Sequence, residues 1–316
     1  MRVLTGPPSD WDLERRPRAV TIGVYDGLHQ GHRHVISLLR EGAAARGGLE
    51  CAVVTFDPHP LTVVAPEHAP RLLTGIEHRL ELLAGAGLDL AAVIPFDEAM
   101  RRQTSAGFAA AVLAGALRAR LVVVGEDFRF GHQRTGNVAS LSELGDAHGF
   151  ATEVVPLVGG QAPMSSTRVR ALVAAGDLAG AATALGRPHE VRGAVVAGEG
   201  RGRRLGFPTA NVVVPSELAL PPSGVYAVEA GRRGDFLGPG VANLGTRPTF
   251  GGAGLSLEVH LLEPPGDLYG ATLRVAFVAR LRDERRFEGP AGLAAQIAAD
   301  AAAARAVLGA FWSIRQ

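Results

Sequence analysis

Residues 23–40 read GVYDGLHQGHRHVISLLR, and this stretch indicates how the first half of the chain folds. It joins the β-branched run RAVTIGVY (18–25) to a segment in which Val35, Leu38 and Leu39 recur at helical spacing. Similar apolar runs, each separated from the next by a helical pattern, are CAVVTFD (51–57), LAAVIPFD (90–97), RLVVVGED (120–127) and ATEVVPL (151–157). This alternation predicts an α/β domain with a doubly wound parallel sheet.

The hydrophobic period changes to two after about residue 190, which indicates a second domain. In LSLEVHL (255–261), Leu257 and Val259 fall on one face of a strand and Glu258 on the other. Short strands separated by Gly and Pro predict an antiparallel barrel or sandwich, and an alanine-rich apolar stripe predicts a C-terminal helix. We therefore predict two domains, residues 1–184 and 185–316.

Composition excludes several classes of protein and site. The 316 residues include 32 basic and 31 acidic side chains, for a net charge of +1, which weakens a role in binding nucleic acid or membranes. Every basic residue is arginine, so a Walker-A loop and a lysine Schiff base are both excluded. The lone Cys51 allows neither an internal disulfide nor a cysteine-rich zinc site. With no signal-peptide pattern or charge-free apolar span, we expect a cytoplasmic protein.

His29 and His32 flank Gly31 where the first strand is predicted to pass into a helix. Backbone N–H groups and the helix dipole make such a junction an anion site, and glycine lets a phosphate approach the backbone. A structural histidine is the ordinary alternative, and a zinc site is another. Further ligands at metal spacing are missing, so the pattern favours a phosphate clamp.

An ordered set of motifs resembles a known family. GVYDGLHQGH (23–32) resembles the GxFDGxHxGH signature of the HxGH nucleotidylyltransferases, with Tyr25 where Phe is common. The motifs that follow are VVTFDPHP (53–60), VVVGEDFRFGHQRTGN (122–137), SSTRVR (165–170), GRRLGFPTANV (202–212), GVANLGTRPTF (240–250) and LEVHLLE (257–263). Their order is similar to that of the bacterial bifunctional riboflavin kinase/FAD synthetase family.

For the first domain, the resemblance implies transfer of the adenylyl group of ATP to FMN, with release of pyrophosphate and formation of FAD. Catalytic contacts with the ATP phosphates would come from His29, His32 and Arg170. The remaining nucleotide-binding residues would be Gly31, Asp127, Ser165, Ser166 and Thr167. SSTRVR could also be a helix N-cap with solvated arginines, and Asp127 a turn residue at the end of a strand.

For the second domain, the resemblance implies a flavokinase barrel that phosphorylates riboflavin to FMN. The loop glycines Gly198, Gly202 and Gly206 would bring backbone amides against phosphates, although such a loop could also be a linker. Thr209 would coordinate Mg²⁺ that enters with ATP, and Asn211 would bind the same metal or the nucleotide. Glu258 would be the base for the riboflavin hydroxyl, although a carboxylate on a polar strand face is usually only solvated.

The expected partners are therefore riboflavin, FMN, FAD, ATP and ADP, with Mg²⁺ as the cofactor, no nucleic acid and no membrane. We expect a monomer or a weak homo-oligomer. Two other functions remain open. The barrel could serve only to recognise the substrate of a nucleotidylyltransferase, or the chain could bind nucleic acid, which its net charge and its 5% aromatic content disfavour.

Overall fold

The computed structural model describes residues 1–158, 163–198, 200–232, 235–249, 252–263, 266–285 and 287–315. The chain divides into two compact units. The first comprises Met1–Pro70 and Gly75–Ser166, and the second comprises Arg71–Thr74 and Thr167–Gln316. The predicted domain boundary at 184/185 lies two helices beyond the division between these units at 166/167. That residues 1–184 and 185–316 fold and work separately remains a prediction.

The first unit contains a six-stranded sheet in which every pairing is parallel. Its strands are β1 (Arg2–Thr5), β2 (Arg18–Ile22), β3 (Glu50–Asp57), β4 (Leu90–Pro95), β5 (Ala119–Gly125) and β6 (Ala151–Val155). The helices up to its end are α1 (Gln30–Ala45), α2 (Leu61–Val64), α3 (Ile76–Gly85), α4 (Glu98–Arg102), α5 (Ser105–Phe108), which continues as a π-helix over Ala109–Ala116, and α6 (Val138–His148). Strand β2 is buried at all five positions, as the apolar run predicts.

The strand order β1-β4-β3-β2-β5-β6 places the topological switch point between β2 and β5. In doubly wound sheets, ligands bind outside the carboxyl ends of the strands at this point. Two hydrophobic cores, one on each side of the sheet, support it and leave that edge open for loops. The loops that follow β2 and β5 carry the histidines and Asp127, so the topology brings these motifs to one edge.

The second unit begins with two helices and continues as a closed antiparallel barrel. The helices are α7 (Ser166–Ala175), whose first residue is the last of the first unit, and α8 (Leu178–Leu185). The strands and later helices are β7 (His189–Val196), α9 (Arg201–Arg204), β8 (Ala210–Val213), β9 (Gly224–Arg232), β10 (Asp235–Thr249), β11 (Gly252–Leu261), β12 (Thr272–Arg282) and α10 (Pro290–Arg315). They close in the order β10-β11-β8-β7-β12-β9. Leu257, Val259 and Leu261 are buried in the barrel core, as the alternating pattern predicts.

Helix α10 packs on the outside of the barrel. Ala301, Ala304 and Leu308 form a buried cluster with residues of β9 and β10. The Asp300 carboxylate accepts a bidentate salt bridge from Arg282 of β12, with nitrogen–oxygen distances of 2.7–2.9 Å for its shorter bonds. By length and composition alone, Pro290–Ser313 is apolar enough to cross a bilayer, but a single helix of this kind is weak evidence because core helices meet the same criterion.

The segment Arg71–Thr74 pairs with the barrel unit although it lies far earlier in the sequence. Leu72 forms a parallel β-bridge with Leu218. Its backbone N–H donates to the Glu217 carbonyl at 2.7 Å, and its carbonyl accepts from the Ala219 N–H at 2.7 Å. Sequence patterns gave no sign of this pairing, because four residues are too few to carry a period.

Candidate active sites

The loop after β2 brings His29 and His32 into contact at the N-terminus of α1. His29 caps the helix, and its Nδ1 accepts a hydrogen bond from the His32 backbone N–H at 3.3 Å. The two imidazoles stack with ring centroids 3.6 Å apart. Because Nδ1 of His29 is an acceptor, the proton of the neutral ring lies on Nε2, where it can be donated to an anion.

The backbone of this loop is held in an uncommon conformation. Tyr25 and Leu28 have positive φ angles of 55° and 41°, on either side of Gly27 at 80°. Non-glycine residues in this region are strained, and such strain persists where the surrounding structure holds it. Tyr25 is only 3% exposed, and its hydroxyl is hydrogen-bonded to that of Thr21. The ring therefore packs and the hydroxyl has a partner, so the structure accommodates Tyr where the family commonly has Phe.

Gly31 is closely packed against the histidines. A Cβ at this position would lie 3.2 Å from Nδ1 of His29 and 3.3 Å from the Met164 carbonyl oxygen. A side chain there would require the His29 ring or the Met164 backbone to shift by a few tenths of an ångström. The glycine therefore keeps the backbone, the imidazole and the segment before α7 close together.

The SSTRVR motif divides between the two units. The Ser166 hydroxyl donates to the Asp26 carbonyl at 2.9 Å, which ties the start of α7 to the histidine loop. The second unit resumes at the next residue, Thr167. Arg170 belongs to the second unit as well, where its Nε donates to the Arg71 carbonyl at 2.7 Å. The predicted contacts of Thr167 and Arg170 with ATP remain predictions.

A cavity of about 600 Å³ opens at the switch point of the sheet. Of the residues predicted to bind nucleotide, those that line it are His29, Gly31, His32, Asp127, Ser165 and Ser166. Aromatic rings from several loops form other parts of the wall, among them Phe56, Phe96, Phe108, Phe128 and Phe130. Such a cavity combines an apolar wall for a flat ring with a polar corner for phosphates.

Three charged side chains behind this cavity were missed by the sequence analysis. Arg79 of α3 is fully buried, and its Nη1 donates to the Phe56 carbonyl at 3.1 Å. Burial lowers the pKa of the Arg79 guanidinium, and the carboxylates of Asp26 and Asp57 oppose that shift. Among the described residues, these three are absent from the cavity lining. Arg79 lies on an amphipathic helix in the sequence, where an arginine is expected to face solvent.

The barrel unit has its own polar site, centred on Glu258 of β11. The strand register places Asn211 of β8 opposite Glu258 on one side and Asn243 of β10 opposite it on the other. Glu258, Asn243 and Thr209 line a second cavity, of about 220 Å³. Asn243 was not predicted as a site residue, because its position beside Glu258 depends on strand order.

At each of the three glycines before β8, a side chain is disfavoured for a different steric reason. A Cβ on Gly198 would lie 2.1 Å from Nδ2 of Asn211, and one on Gly202 would lie 2.3 Å from the Phe207 carbonyl oxygen. Gly206 has a φ of 85°, which side-chain-bearing residues rarely adopt. Gly202 itself lies in the short helix α9. The loop is therefore shaped around Asn211 and the residues that precede Thr209.

Other walls of the second cavity come from β12, the segment that follows it and α10. His260 and the Arg282–Asp300 pair line it, together with Arg285, Phe287, Leu293 and Ile297. The His260 ring contacts Phe207 edge-on, with centroids 5.5 Å apart, and its Nδ1 is 2.9 Å from the Pro208 carbonyl oxygen. The segment that carries PTAN is therefore fastened to β11 next to Glu258.

Oxygen donors suitable for Mg²⁺ are present in the second site. Over the described residues, His, Cys, Asp and Glu side chains form no cluster of three or more that could hold a metal alone. The Thr209 hydroxyl and the Glu258 carboxylate, which line the cavity, supply hard oxygen atoms, which Mg²⁺ prefers. The Asn211 amide is a further oxygen donor opposite Glu258 in the strand register, but Asn211 is not on the cavity lining. Mg²⁺ also takes ligands from substrate phosphates, so this donor set fits a metal that arrives with ATP.

Comparisons with known proteins cover almost the whole chain. A bifunctional riboflavin kinase/FMN adenylyltransferase of Escherichia coli K12 is 40% identical over 291 residues, which is 92% of each chain. The protein of the same name from Bacillus subtilis 168 is 33% identical over 91% of each chain. A crystal structure described as a macrolide-efflux protein from Streptococcus pneumoniae has a TM-score of 0.86 and 27% identity, and covers 96% of this chain and 99% of that chain. This similarity shows that the two chains share the same fold.

The two folded units and these comparisons define a nucleotide-dependent transferase with two activities. The family model for FAD synthetase matches residues 12–168, and the model for riboflavin kinase matches residues 185–308. The chain belongs to the bifunctional riboflavin kinase/FMN adenylyltransferase family. The resemblance, and the predicted α/β domain followed by an antiparallel barrel with a C-terminal helix, are confirmed.

Proposed function

We propose that the cavity of the first unit makes FAD from FMN and ATP, and that the cavity of the barrel unit makes FMN from riboflavin and ATP. The chain has both activities as a member of its family. The assignment of each activity to a cavity rests mainly on one observation. Six residues predicted to bind nucleotide line the first cavity, whereas Thr209 and Glu258 line the second.

In the first cavity, the FMN phosphate would attack the α-phosphorus of ATP, and pyrophosphate would leave. This in-line displacement needs alignment and stabilisation of the negative charge that develops on the phosphates. His29 and His32 can supply that stabilisation because they lie stacked at the positive end of α1. In a chain without lysine, imidazole and guanidinium groups carry this task, and Arg170 is the proposed arginine.

The apolar wall of the first cavity suits the flat ring of the acceptor or of adenine. Phe128 and Phe130 are stacked with centroids 5.3 Å apart, and Phe56 meets Phe96 edge-on at 5.6 Å. Aromatic faces bind planar heterocycles by offset stacking and by excluding water. We assign Asp127 and Ser165 to the nucleotide because they lie on the lining together with the histidines.

In the barrel cavity, Glu258 is the proposed base for the terminal ribityl hydroxyl of riboflavin. A carboxylate oxygen of Glu258 would accept the proton of the riboflavin hydroxyl. The hydroxyl oxygen would attack the γ-phosphorus of ATP at the same time, and ADP would leave. The asparagines on the two neighbouring strands flank Glu258 and can orient its carboxylate or a substrate hydroxyl. The His260 ring, which also lines the cavity, lies on the same face of β11.

Thr209 and Asn211 would hold Mg²⁺ together with the ATP phosphates. When bound, the ion neutralises phosphate charge and fixes the geometry of the transferred group. Gly198 makes room for the Asn211 side chain, and Gly202 and Gly206 shape the loop that would lie against the phosphates. Riboflavin, FMN, FAD, ATP and ADP are the proposed partners, in a cytoplasmic monomer or weak homo-oligomer that binds neither nucleic acid nor membrane.

Two assays test the activities, and the same assays on variants of His29 and Glu258 test which cavity carries each. Purified protein with Mg²⁺ and ATP receives riboflavin in one reaction and FMN in the other, and chromatography follows FMN, FAD, ADP and pyrophosphate over time. We expect riboflavin to give FMN with ADP, and FMN to give FAD with pyrophosphate. Formation of ADP with no flavin product, or turnover of an acceptor unrelated to flavin, would contradict the proposal.

A further inference from the structure

Arg79 is an internal cation that faces the two loops on which the first cavity is built. It lies on α3, has no exposed surface, and donates through Nη1 to the Phe56 carbonyl near the end of β3. Asp57 is the last residue of β3, and Asp26 lies in the loop after β2. The guanidinium therefore lies at the carboxyl ends of two neighbouring strands.

An arginine in this position is costly unless anions balance its charge. Transfer of a cation from water to a protein interior is strongly unfavourable, and arginine keeps its proton. The charges that act on it come from Asp26, which is 1% exposed, and from Asp57. Arg79, which is bonded to the Phe56 carbonyl beside Asp57, together with these two carboxylates therefore forms a charged cluster in place of ordinary apolar packing.

Both carboxylates belong to loops that reach the cavity within a few residues. The Asp26 backbone carbonyl accepts the Ser166 hydroxyl, and His29 follows three residues later. His59, which lines the cavity, follows Asp57 by two residues, and its Nδ1 accepts from the Leu61 N–H at 3.1 Å. A change in the Arg79 cluster would therefore shift groups on two sides of the nucleotide.

We infer that Arg79 is a positioning residue for adenylyl transfer, and that its positive charge holds the Asp26 and Asp57 loops in the arrangement that aligns the histidines with ATP. This inference rests on the proposed function of the first cavity. The residue itself does not contact substrate, because it lies behind the lining. Removing its charge leaves the buried Asp26 carboxylate and the half-buried Asp57 carboxylate without that counter-charge, so the two segments are expected to move apart.

Arg18 provides a matched control in the same unit. Its guanidinium is equally buried, and its Nε donates to the Glu50 carboxylate at 2.6 Å. It differs from Arg79 in lying at the amino end of β2, away from the switch point. A purely structural role for Arg79 predicts that Arg79→Met and Arg18→Met behave alike.

The test compares R79M, R79K and R18M in the full chain. Circular dichroism and the melting transition show whether the first unit of each preparation is folded, and the riboflavin kinase rate measures the amount of enzyme. We expect both methionine variants to melt at lower temperature. Below that temperature, only R79M should lose kcat for FAD formation, by about 10- to 10²-fold, the scale of a small misalignment of reacting groups. R79K should recover most of this loss because it retains the charge.

The outcomes separate the inference from the function on which it rests. Native kcat in R79M, equal losses in R79M and R18M, or R79K no better than R79M would each overturn it. If R79M does not fold, Arg79→Gln, which also removes the charge, takes its place beside R18M, and a kcat for FAD formation that falls in Arg79→Gln alone is still expected. FAD synthesis that survives His29→Ala would instead overturn the proposed cavity and this inference with it.

Discussion

His29 and His32 are the residues whose removal most directly tests the first cavity. We expect His29→Ala or His32→Ala to slow FAD formation from FMN by about 10²-fold or more, the scale for loss of one preorganised donor to transition-state charge. Riboflavin phosphorylation should be unchanged. His34→Ala is the matched control, because His34 lies exposed on the same helix. FMN-to-FAD rates equal to the unaltered enzyme in both variants would remove the pair from the mechanism.

The Glu258→Gln variant tests whether Glu258 is the catalytic base or only a solvated residue on its strand. Glu258→Gln keeps the shape but cannot accept the proton, so FMN formation should fall by about 10²- to 10⁴-fold. FAD synthesis from supplied FMN should persist. Glu263→Gln changes an exposed carboxylate just beyond the same strand and should have no effect on either rate. A wild-type kinase rate in E258Q would show that Glu258 is only a solvated residue on its strand.

Gly198 tests whether the position of the Asn211 side chain matters. A methyl group there would clash with the amide nitrogen of Asn211, so Gly198→Ala should displace that side chain. We expect kcat/KM for riboflavin phosphorylation to fall by about 10- to 10²-fold, with FAD synthesis unchanged. Gly85→Ala, where a Cβ meets nothing within 4 Å, is the control. A kinase as fast in G198A as in G85A would show that Asn211 has no part in the reaction.

At the scale of elements, α10 is fastened to the barrel by an ionic contact that is mostly buried. Asp300 is 6% exposed and Arg282 is 20% exposed. Asp300→Ala leaves the guanidinium without its bidentate partner, which should destabilise the barrel unit by about 2–4 kcal/mol. Asp283→Ala removes an exposed partner of Arg280 and should cost less than about 1 kcal/mol. Loss of kinase activity on heating measures both, and equal losses would contradict the assigned role of the buried pair.

The elements show what the sequence could predict and what it could not. The five apolar runs coincide with β2 to β6. The inner strands are buried on both faces and so leave a continuous β-branched pattern, whereas the edge strand β6 has only Val155 buried. Strand β1 was missed, since it has four residues and only Leu4 is buried. His29, Gly31 and Asp127 were predictable because parallel strands carry their loops to one edge. Arg79 and Asn243 were not, since their contacts depend on packing and strand order, which residue spacing does not encode.

The whole molecule is predicted to separate into two working pieces. Residues 1–184 should make FAD from FMN and ATP, and residues 185–316 should make FMN from riboflavin and ATP, because each unit buries its own core. Neither piece alone should convert riboflavin to FAD. The assignment of independent sites fails if both pieces are folded by circular dichroism and melting, yet the second phosphorylates riboflavin only when the first is added back.

The structure adds a comparison between two barrel fragments. Leu178 of α8 is buried in the barrel core, and helices α7 and α8 belong almost wholly to the second unit. A fragment of residues 167–316 should therefore melt at a higher temperature than residues 185–316, by the several degrees that loss of a buried leucine causes in a small domain, about 2 kcal/mol or more. Equal melting temperatures would indicate that these helices do not stabilise the barrel.

The bridge between Leu72 and Leu218 has a consequence for biosynthesis. Ribosomes release a chain from its N-terminus at a limited rate, and domains generally fold as they emerge. Arg71–Thr74 leaves the ribosome within the first unit, but its hydrogen-bond partners at residues 217–219 are translated only after that unit and its following helices are complete. An early segment can therefore be captured only after a late one has been made, which makes a nascent chain truncated before residue 217 distinguishable from the finished protein at residue 72.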